Sequence, residues 1–370
     1  MPALALFPFL KYFIYFQPTD FLMLTFITKR LLVMLATSLC LTFVVFFLTN
    51  LQPNLEKLAK TEANNRMTDD QVISWLDRNG YSDPVLFRYG QWLGVMPGWV
   101  RTDADGKQTG RCITSGVEAA DAPGYCGIIQ GYFGRSTVFK ESVDVIIVKR
   151  LSLTGILMFW VMIVMVPAAL IVGVLAGMRE GSKSDRTLSA ISILTTATPE
   201  YVSGVVFIVV FSSMAVGLKW FKGSATSAMD EITFANFTLP VMTMALYGMG
   251  YIARMTRASM AEVMTAQYIR TARLKGVSFR NVVLKHALRN ALIAPFTVIM
   301  LQFPWLLTGV VIVETLFNYK GFGWTLVQAA GNNDIELLLS CSIAAVLVVL
   351  VTQLISDIGY VYLNPKIRVN

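Results

Sequence analysis

The most constraining feature of this sequence is a series of long apolar runs joined by basic connections. A hydrocarbon core roughly 30 Å thick takes about 20 apolar residues per spanning helix, and six runs approach that length. The chain is 55% hydrophobic with a mean hydropathy of +0.59, so its 370 residues offer too little polar surface for a soluble globule. The sequence predicts an all-α membrane protein with six transmembrane helices, at 31–50, 151–178, 188–216, 239–258, 292–314 and 337–361.

Basic residues in the short connections predict the orientation, because such residues stay on the cytoplasmic side. They precede the first run, lie between the second and third and between the fourth and fifth, and follow the last: Lys29, Arg30; Arg179, Lys183, Arg186; Arg257, Arg270, Arg273, Lys275, Arg280, Lys285, Arg289; Lys366, Arg368. Both termini are therefore predicted to be cytoplasmic. The loop 51–150 then faces outward, and its twelve Lys/Arg and twelve Asp/Glu do not resist translocation. The net charge of +8 follows from this topology, and no nucleic-acid partner is expected.

These runs divide the chain into four parts. Residues 1–22 are an N-terminal extension, read as an interfacial or extended start with Met23 as an alternative initiator. Residues 23–50 carry the first transmembrane helix, 51–150 a large outward loop or subdomain, and 151–370 the other five helices. The last part includes the cytoplasmic connection 259–291.

The outward loop has features of a small folded unit. A short helix is expected after Thr68, with Asp69 and Asp70 in its first turn. Cys112 and Cys126 would face an oxidising compartment, so we expect them to form a disulfide. A metal site is disfavoured there because no histidine lies nearby.

Catalytic and cofactor sites are not predicted. The single histidine, His286, excludes multi-histidine metal sites, and "GMREGSKSD" at 177–185 has Ser182 where a phosphate loop needs glycine. The chain is thus expected to be no enzyme, to hold no metal or cofactor, and to hydrolyse no nucleotide itself.

The connection "YIRTARLKGVSFRNVVLKHALRNALIAP", residues 268–295, predicts two short helices joined by a bend. Gly276 suits the left-handed position that closes a helix, and Ser278 can cap a second helix starting at Phe279. Small residues, Thr271 and Ala272, lie beside Arg270 and Arg273, so a partner's backbone could approach closely. The same cations could instead anchor the helices at lipid headgroups, and the residues alone leave both readings open.

This connection resembles the EAA loop of binding-protein-dependent ABC transporter permeases, in particular the dipeptide and oligopeptide permeases. "MLTFITKRLLVMLATSLCLTFVVFFL", "MREGSKSDRTL", "VIVETLFNYKGFGWTLVQA" and "DIGYVYLNPKIRV" are similar to other segments of that family. The resemblance covers most of 23–60 and 130–370. Departures are Pro295, one residue later than usual, and Asn364, where Asp is frequent.

The resemblance implies a docking surface for an ATPase on the cytoplasmic connection. Arg270, Thr271 and Ala272 occupy the E-A-A positions and Gly276 the loop glycine, while His286, Arg289 and Asn290 match H-A-L-R-N. Gln267, Tyr268 and Arg273 belong to the same implied surface.

The resemblance further implies a fold like that of type I ABC importer permeases and a multi-pass place in the bacterial inner membrane. The implied partners are a second, paralogous permease subunit, two cytoplasmic ATPases that bind ATP and Mg, and a periplasmic binding protein. The implied cargo is a peptide or a similarly sized polar solute.

One acidic residue in a predicted span is a candidate for the transport path. Glu200 follows Pro199, and a charge at the bilayer centre costs about 2.5–3.5 kcal/mol on insertion scales, so it should face a cavity or a partner. It could contact a cargo amine, or only pair with an arginine or backbone amides. Glu314 and Asp357 are expected to support structure.

Two other functions remain as alternatives at this point. A membrane receptor would use the 51–150 loop to sense a ligand, and a secondary transporter would work without ATPases. Neither explains the EAA-like connection.

Overall fold

The computed structural model describes residues 18–64, 66–102, 106, 108–113, 119–213 and 218–363, and these residues are mostly helical. The predictions for residues 1–17, for Val216 and for the ending with Asn364, Lys366 and Arg368 lie outside the described residues. The α-helices of more than three residues are α1 Pro18–Thr49, α2 Gln52–Glu62, α3 Asp69–Arg78, α4 Val85–Leu93, α5 Val143–Gly177, α6 Lys183–Ala197, α7 Glu200–Phe211, α8 Phe234–Thr265, α9 Gln267–Leu274, α11 Leu288–Ala291, α12 Ile293–Leu316, α13 Phe322–Gly331 and α14 Ile335–Leu363; the short α10 is Phe279–Asn281.

Three of these helices, α1, α5 and α14, are long and apolar enough in their described residues to cross a membrane. The number rises to five if α6 with α7, and α10 to α11 with α12, each count as one bent span. The fourth predicted span lies within α8, which is 32 residues long but less apolar, because Thr, Tyr, Gly and Pro interrupt its hydrophobic residues. Six spans thus remain a prediction.

The third predicted span is not one straight helix. α6 ends at Ala197, α7 begins at Glu200, and their axes differ by 103°. Thr198 is extended, with ψ 121°, and Pro199 follows it with no N–H to donate. A residue before proline disfavours the helical region, so the chain turns sharply here.

The main core lies where α5, α8 and α12 pack together. Leu157 and Met165 of α5, Met244 of α8 and Leu306 of α12 are fully buried in one apolar cluster. Further along α5, Gly173 and Gly177 lie one turn apart against α8; a Cβ built on Gly173 would be 2.6 Å from the carbonyl oxygen of Ala253. Only glycine permits this close approach of the two helices.

The segment between α1 and α5 is a small folded unit. It contains α2, α3, α4 and an antiparallel hairpin of β1 Val100–Thr102 and β2 Gln108–Gly110, in which Val100 pairs with Gly110. The short helix predicted after Thr68 is α3, and Gln71 accepts a hydrogen bond from the Thr68 backbone N–H at 3.0 Å. Cys112 and Cys126 form a disulfide with a Cα–Cα distance of 5.6 Å.

Two ion pairs join distant parts of the chain to α14. Arg30 of α1 pairs with Asp357 at 2.9 Å, so Asp357 has the supporting role expected for it. Arg111, just after β2, pairs with Glu336 at 3.2 Å. The beginning and the end of α14 are thereby tied to two separate segments.

Candidate functional site

The candidate site is the connection between α8 and α12. α8 ends at Thr265, and Ala266 is extended, with ψ 148°, which turns the chain into α9. After α9, residues 279–291 form α10, a π-helical turn at Val282–Ala287 and α11. The two predicted helices are present, but the second contains the π-helical turn, which the sequence pattern does not predict.

Gly276 ends α9 in a left-handed conformation with φ 75°. The N–H of Val277 donates to the carbonyl of Ala272 at 3.2 Å and that of Gly276 to Arg273 at 3.0 Å, which closes the helix end. Ser278 was expected to cap the next helix with its side chain, yet it makes no side-chain cap hydrogen bond; its carbonyl accepts from Val282 N–H at 2.9 Å.

One face of this connection packs against the end of α8. Ile269, Val282 and Val283 are buried together with Met260, and Ala272 is also buried. The small side chain of Ala272 therefore faces the chain's own core. Phe279, at the start of the second helix, is 40% exposed, and the guanidinium of Arg179 lies 5.3 Å from the centre of its ring.

The opposite face is exposed and polar. It includes these residues named from the sequence: Gln267, Tyr268, Arg270, Thr271, Arg273, Gly276, His286, Arg289 and Asn290. The fold brings two of them together, since the Asn290 amide donates to the Tyr268 hydroxyl at 2.9 Å. This contact fixes α9 against α11.

This face is strongly cationic. Its basic residues form no ion pair with any other described residue: Arg270, Arg273, Lys275, Arg280, Lys285 and Arg289. Leu274 lies among them and is 82% exposed. Leu274 was not among the residues predicted from the sequence, although an apolar residue five positions after the buried Ile269 lies on the opposite side of a helix. The whole face suits a partner with carboxylates and an apolar recess.

An internal ion pair holds the base of the connection. Arg257 of α8 donates through Nε and Nη2 to the two carboxylate oxygens of Asp185 at 2.9 and 2.8 Å. Asp185 is buried at the start of α6 and also accepts from the Gly181 N–H at 2.9 Å. A bidentate pair of this kind fixes both the distance and the relative orientation of the two side chains. It therefore joins the start of α6 to α8, two turns before α8 ends.

The second candidate site is at the bend before α7. Glu200 is 8% exposed, and no described residue donates a hydrogen bond to its carboxylate. It packs against α12, because a Cβ built on Gly309 would lie 2.9 Å from a Glu200 carboxylate oxygen. Tyr247 and Trp305 stack at 4.9 Å on the neighbouring helices α8 and α12. The pairing with arginine that the sequence allowed is absent among the described residues.

Glu314 differs from Glu200 in having its hydrogen bonds satisfied. It is fully buried and accepts from the Thr154 hydroxyl and, at 2.9 Å, from the Trp324 N–H. It therefore joins α5, α12 and α13, which is the supporting role expected for it.

The chain is similar to known membrane transport proteins. A family model described as "Binding-protein-dependent transport system inner membrane component" matches residues 169–369. The oligopeptide transport system permease protein AppB of Bacillus subtilis is 28% identical over 94% of this chain and 100% of its own length. A probable peptide ABC transporter permease protein of Sinorhizobium fredii, y4tP, is 32% identical over 65% of this chain and 77% of its own length.

Among solved structures, one titled "Crystal structure of an amino acid ABC transporter with histidines" is similar to this chain with a TM-score of 0.44. It is 14% identical, and the match covers 59% of this chain and 94% of that one.

Long apolar helices joined by an exposed cationic connection are typical of a multi-pass membrane protein. The chain belongs to the family of binding-protein-dependent transport system inner membrane components, as the match over more than half of its length shows. It is an inner-membrane protein of the ABC permease class.

Proposed function

We propose that this chain is the membrane permease subunit of an ATP-driven ABC importer that takes up peptides or similar small polar solutes. The names of its relatives support the cargo class, since AppB and y4tP are both named as peptide or oligopeptide permease proteins. The chain itself would be non-catalytic, and ATP and Mg would bind to separate ATPase subunits.

The observation that carries this proposal is the cationic face of α9 to α11. Six exposed Lys and Arg residues that form no ion pair with any described residue share this face with the exposed Leu274, and the end of α9 beneath them is closed and packed. Headgroup anchoring alone would not require the buried cluster or the Tyr268–Asn290 contact. A segment that transmits movement from an ATPase must be stiff, and both features stiffen it. ATPase movement would pass through α9 into α8, and the Asp185–Arg257 pair would carry it into α6.

The two ends of α5 support the proposed topology. The loop unit packs near Val143 and the α9 connection packs near Gly177, at opposite ends of a 35-residue helix. At 1.5 Å per residue this helix is about 50 Å long, more than the roughly 30 Å of the hydrocarbon core. The loop unit would then face the periplasm and its binding protein, with α9 and both termini in the cytoplasm.

Cargo would pass along the membrane-embedded surface that Glu200 and Pro199 help to form. A buried carboxylate without a hydrogen-bond partner attracts a protonated amine, and neighbouring aromatic rings add cation–π attraction. A second permease subunit, paralogous to this one, would complete the path.

The test is a pair of charge-reversal variants in the reconstituted transporter. Arg270→Glu with Arg273→Glu should abolish ATPase co-purification and uptake while membrane insertion is retained. The matched control, Lys219→Glu with Lys222→Glu, makes the same change in charge at exposed positions before α8 and should leave both intact. Normal uptake by the first variant, or uptake by this chain without any ATPase, would refute the proposal.

A further inference from the structure

A second site lies in the folded unit between α1 and α5. An open cleft of about 1500 Å³ separates this unit from the first turns of α5 and α14. Its walls carry the aromatic residues Trp75, Tyr81, Trp92, Trp99 and Tyr132 beside charged residues of both signs. The α9 connection is at the far end of α5, so this cleft is not part of the docking site.

Arg88 is the most buried cation of the cleft wall. It is 8% exposed, and its Nη1 donates to the Asn50 side-chain oxygen at 2.8 Å. Its Nε has neither solvent contact nor a hydrogen-bond partner among the described residues. Burial removes water from the guanidinium and lowers the pKa of Arg88. An anionic group would satisfy it.

Arg111 and Glu336 form an ion pair on another part of the wall, and each keeps one buried polar atom without a partner. Arg111 Nη1 contacts Glu336 Oε1 at 3.2 Å, which leaves Arg111 Nη2 and Glu336 Oε2 unpaired. Trp92 Nε1, on the same cleft, is also buried and unpaired. Among the described residues, these three and Arg88 supply every side-chain polar atom that is both fully shielded from solvent and without a partner: three donors and one acceptor.

We propose that this cleft binds a short peptide through its free ends. The carboxylate would take the donors of Arg88, Arg111 and Trp92, and the protonated amine would take the acceptor of Glu336. A carboxylate has enough lone pairs for several donors, and an ammonium group has only donors, so the two ends of a peptide match this wall.

The size and the walls of the cleft define the ligand further. Small-molecule sites usually measure about 300–1000 Å³, so a cleft of about 1500 Å³ has room for several residues rather than one amino acid. Tryptophan and tyrosine rings can cover peptide side chains while their polar atoms remain available. The four unpaired atoms are covered by neighbouring groups, so ligand entry would turn the side chains of Arg88, Trp92, Arg111 and Glu336 toward the cleft.

This inference rests on the proposed function in two respects only: that the cleft faces the periplasm, and that the bound peptide is the transported cargo. Binding of a peptide to the cleft requires neither ATPase nor partner permease. The two proposals can therefore fail separately.

The first experiment needs no mutation. Titration calorimetry would compare the tripeptide Ala-Phe-Ala, its C-terminal amide and its N-acetyl form on the purified full-length chain in lipid nanodiscs. The free peptide should bind at least tenfold more tightly than either capped form, because each cap removes one charged end. Equal affinity for all three peptides, or no binding of the free peptide at millimolar concentration, would overturn the proposal.

Variants then locate the site. Arg111→Gln with Glu336→Gln replaces the ion pair by a neutral pair and should remove the preference for free ends. Arg101→Gln is the matched control, because Arg101 lies on the same hairpin but pairs with Asp83 at 2.8 Å outside the cleft. Unchanged preference in the double variant would place the peptide elsewhere and refute the assignment. If the chain binds peptide but shows no ATPase-dependent uptake, only the proposed function fails.

Discussion

Gly276 has a positive φ of 75°, and a Cβ at this position would meet nothing within 4 Å. The requirement for glycine is thus conformational rather than steric. Asparagine tolerates this left-handed region, whereas proline is fixed near a φ of −65°. Gly276→Asn should keep uptake near the normal rate. Gly276→Pro should disrupt the end of α9 and uncouple ATP hydrolysis from uptake, so that ATP is hydrolysed without matching transport. Both rates can be measured in proteoliposomes.

The control for this pair is Gly155→Ala in α5, where the glycine also meets nothing within 4 Å but has no positive φ. It should leave both rates unchanged. If Gly276→Pro also transports normally, the closed end of α9 has no part in coupling.

Glu200 and Glu314 are expected to respond differently to the same change. Glu200→Gln removes a charge that no described residue hydrogen-bonds, so thermal stability should hold or rise. Uptake of an amine-bearing cargo should fall, since a charged hydrogen bond is worth about 1.5–3 kcal/mol, or roughly ten- to a hundredfold. Glu314→Gln should instead lower the melting temperature, because its carboxylate accepts from Thr154 and Trp324.

Uptake of an N-acetylated cargo separates a contact from a general defect. This cargo lacks the amine, so its uptake should be insensitive to Glu200→Gln. An equal loss for both cargoes would assign Glu200 to structure.

At the scale of helices, the crossing of α5 with α8 depends on Gly173 and Gly177. A Cβ on Gly177 would lie 2.5 Å from the Arg257 carbonyl oxygen, so any larger side chain must push the helices apart. Gly177→Val should destabilise the protein by about 1–3 kcal/mol, as overpacking commonly does. Gly155→Val, which has open space on the same helix, should cost much less. Thermal unfolding in detergent measures the stability of both variants. Equal melting temperatures would show that α5 and α8 can move apart at Gly177 without loss of stability.

The apolar runs predicted the long helices because burial in lipid demands continuous hydrophobic sequence. They did not predict where those helices break. Pro167 lies inside α5, which continues through it, while Pro199 coincides with a 103° bend. Pro167 lies within an apolar stretch, whereas Pro199 follows Thr-Thr-Ala-Thr and precedes Glu200, which packs against Gly309 of α12.

The candidate site was predictable in its exposed residues but not in its buried ones. The exposed basic positions follow from the charge pattern of the connection. The burial of Ala272 and the exposure of Phe279 depend on contacts with α8 and with Arg179, which are distant in sequence. The Asp185–Arg257 pair spans 72 positions, and no local pattern indicates it.

At the scale of the whole molecule, the disulfide joins the hairpin to the segment that returns toward α5. Cys112 and Cys126 are 14 positions apart, and closing a loop of that size contributes about 3 kcal/mol in the chain-entropy model. Denatured, unreduced protein should show two reactive thiols, Cys40 and Cys341, and four after reduction. Mass spectrometry of the alkylated protein checks this, and four thiols before reduction would contradict the bridge.

The placement of the molecule across the membrane can be tested by labelling from each side. In a background with Cys40→Ala and Cys341→Ala, single cysteines would replace Leu274, at the exposed tip of α9, and Ser82, on the exposed side of the loop unit. A membrane-impermeant maleimide should label Leu274→Cys only in inverted vesicles and Ser82→Cys only in right-side-out vesicles. The native disulfide does not react with this reagent.

The labelling also tests docking, because the same position is exposed in the isolated chain and covered in the proposed complex. Adding the ATPase subunits to inverted vesicles should protect Leu274→Cys, while Ser82→Cys in right-side-out vesicles should react as before. Labelling of both cysteines from one side would overturn the topology, since the two ends of α5 would then share a compartment. Labelling from the expected sides without protection would keep the topology and reject Leu274 as part of the ATPase contact.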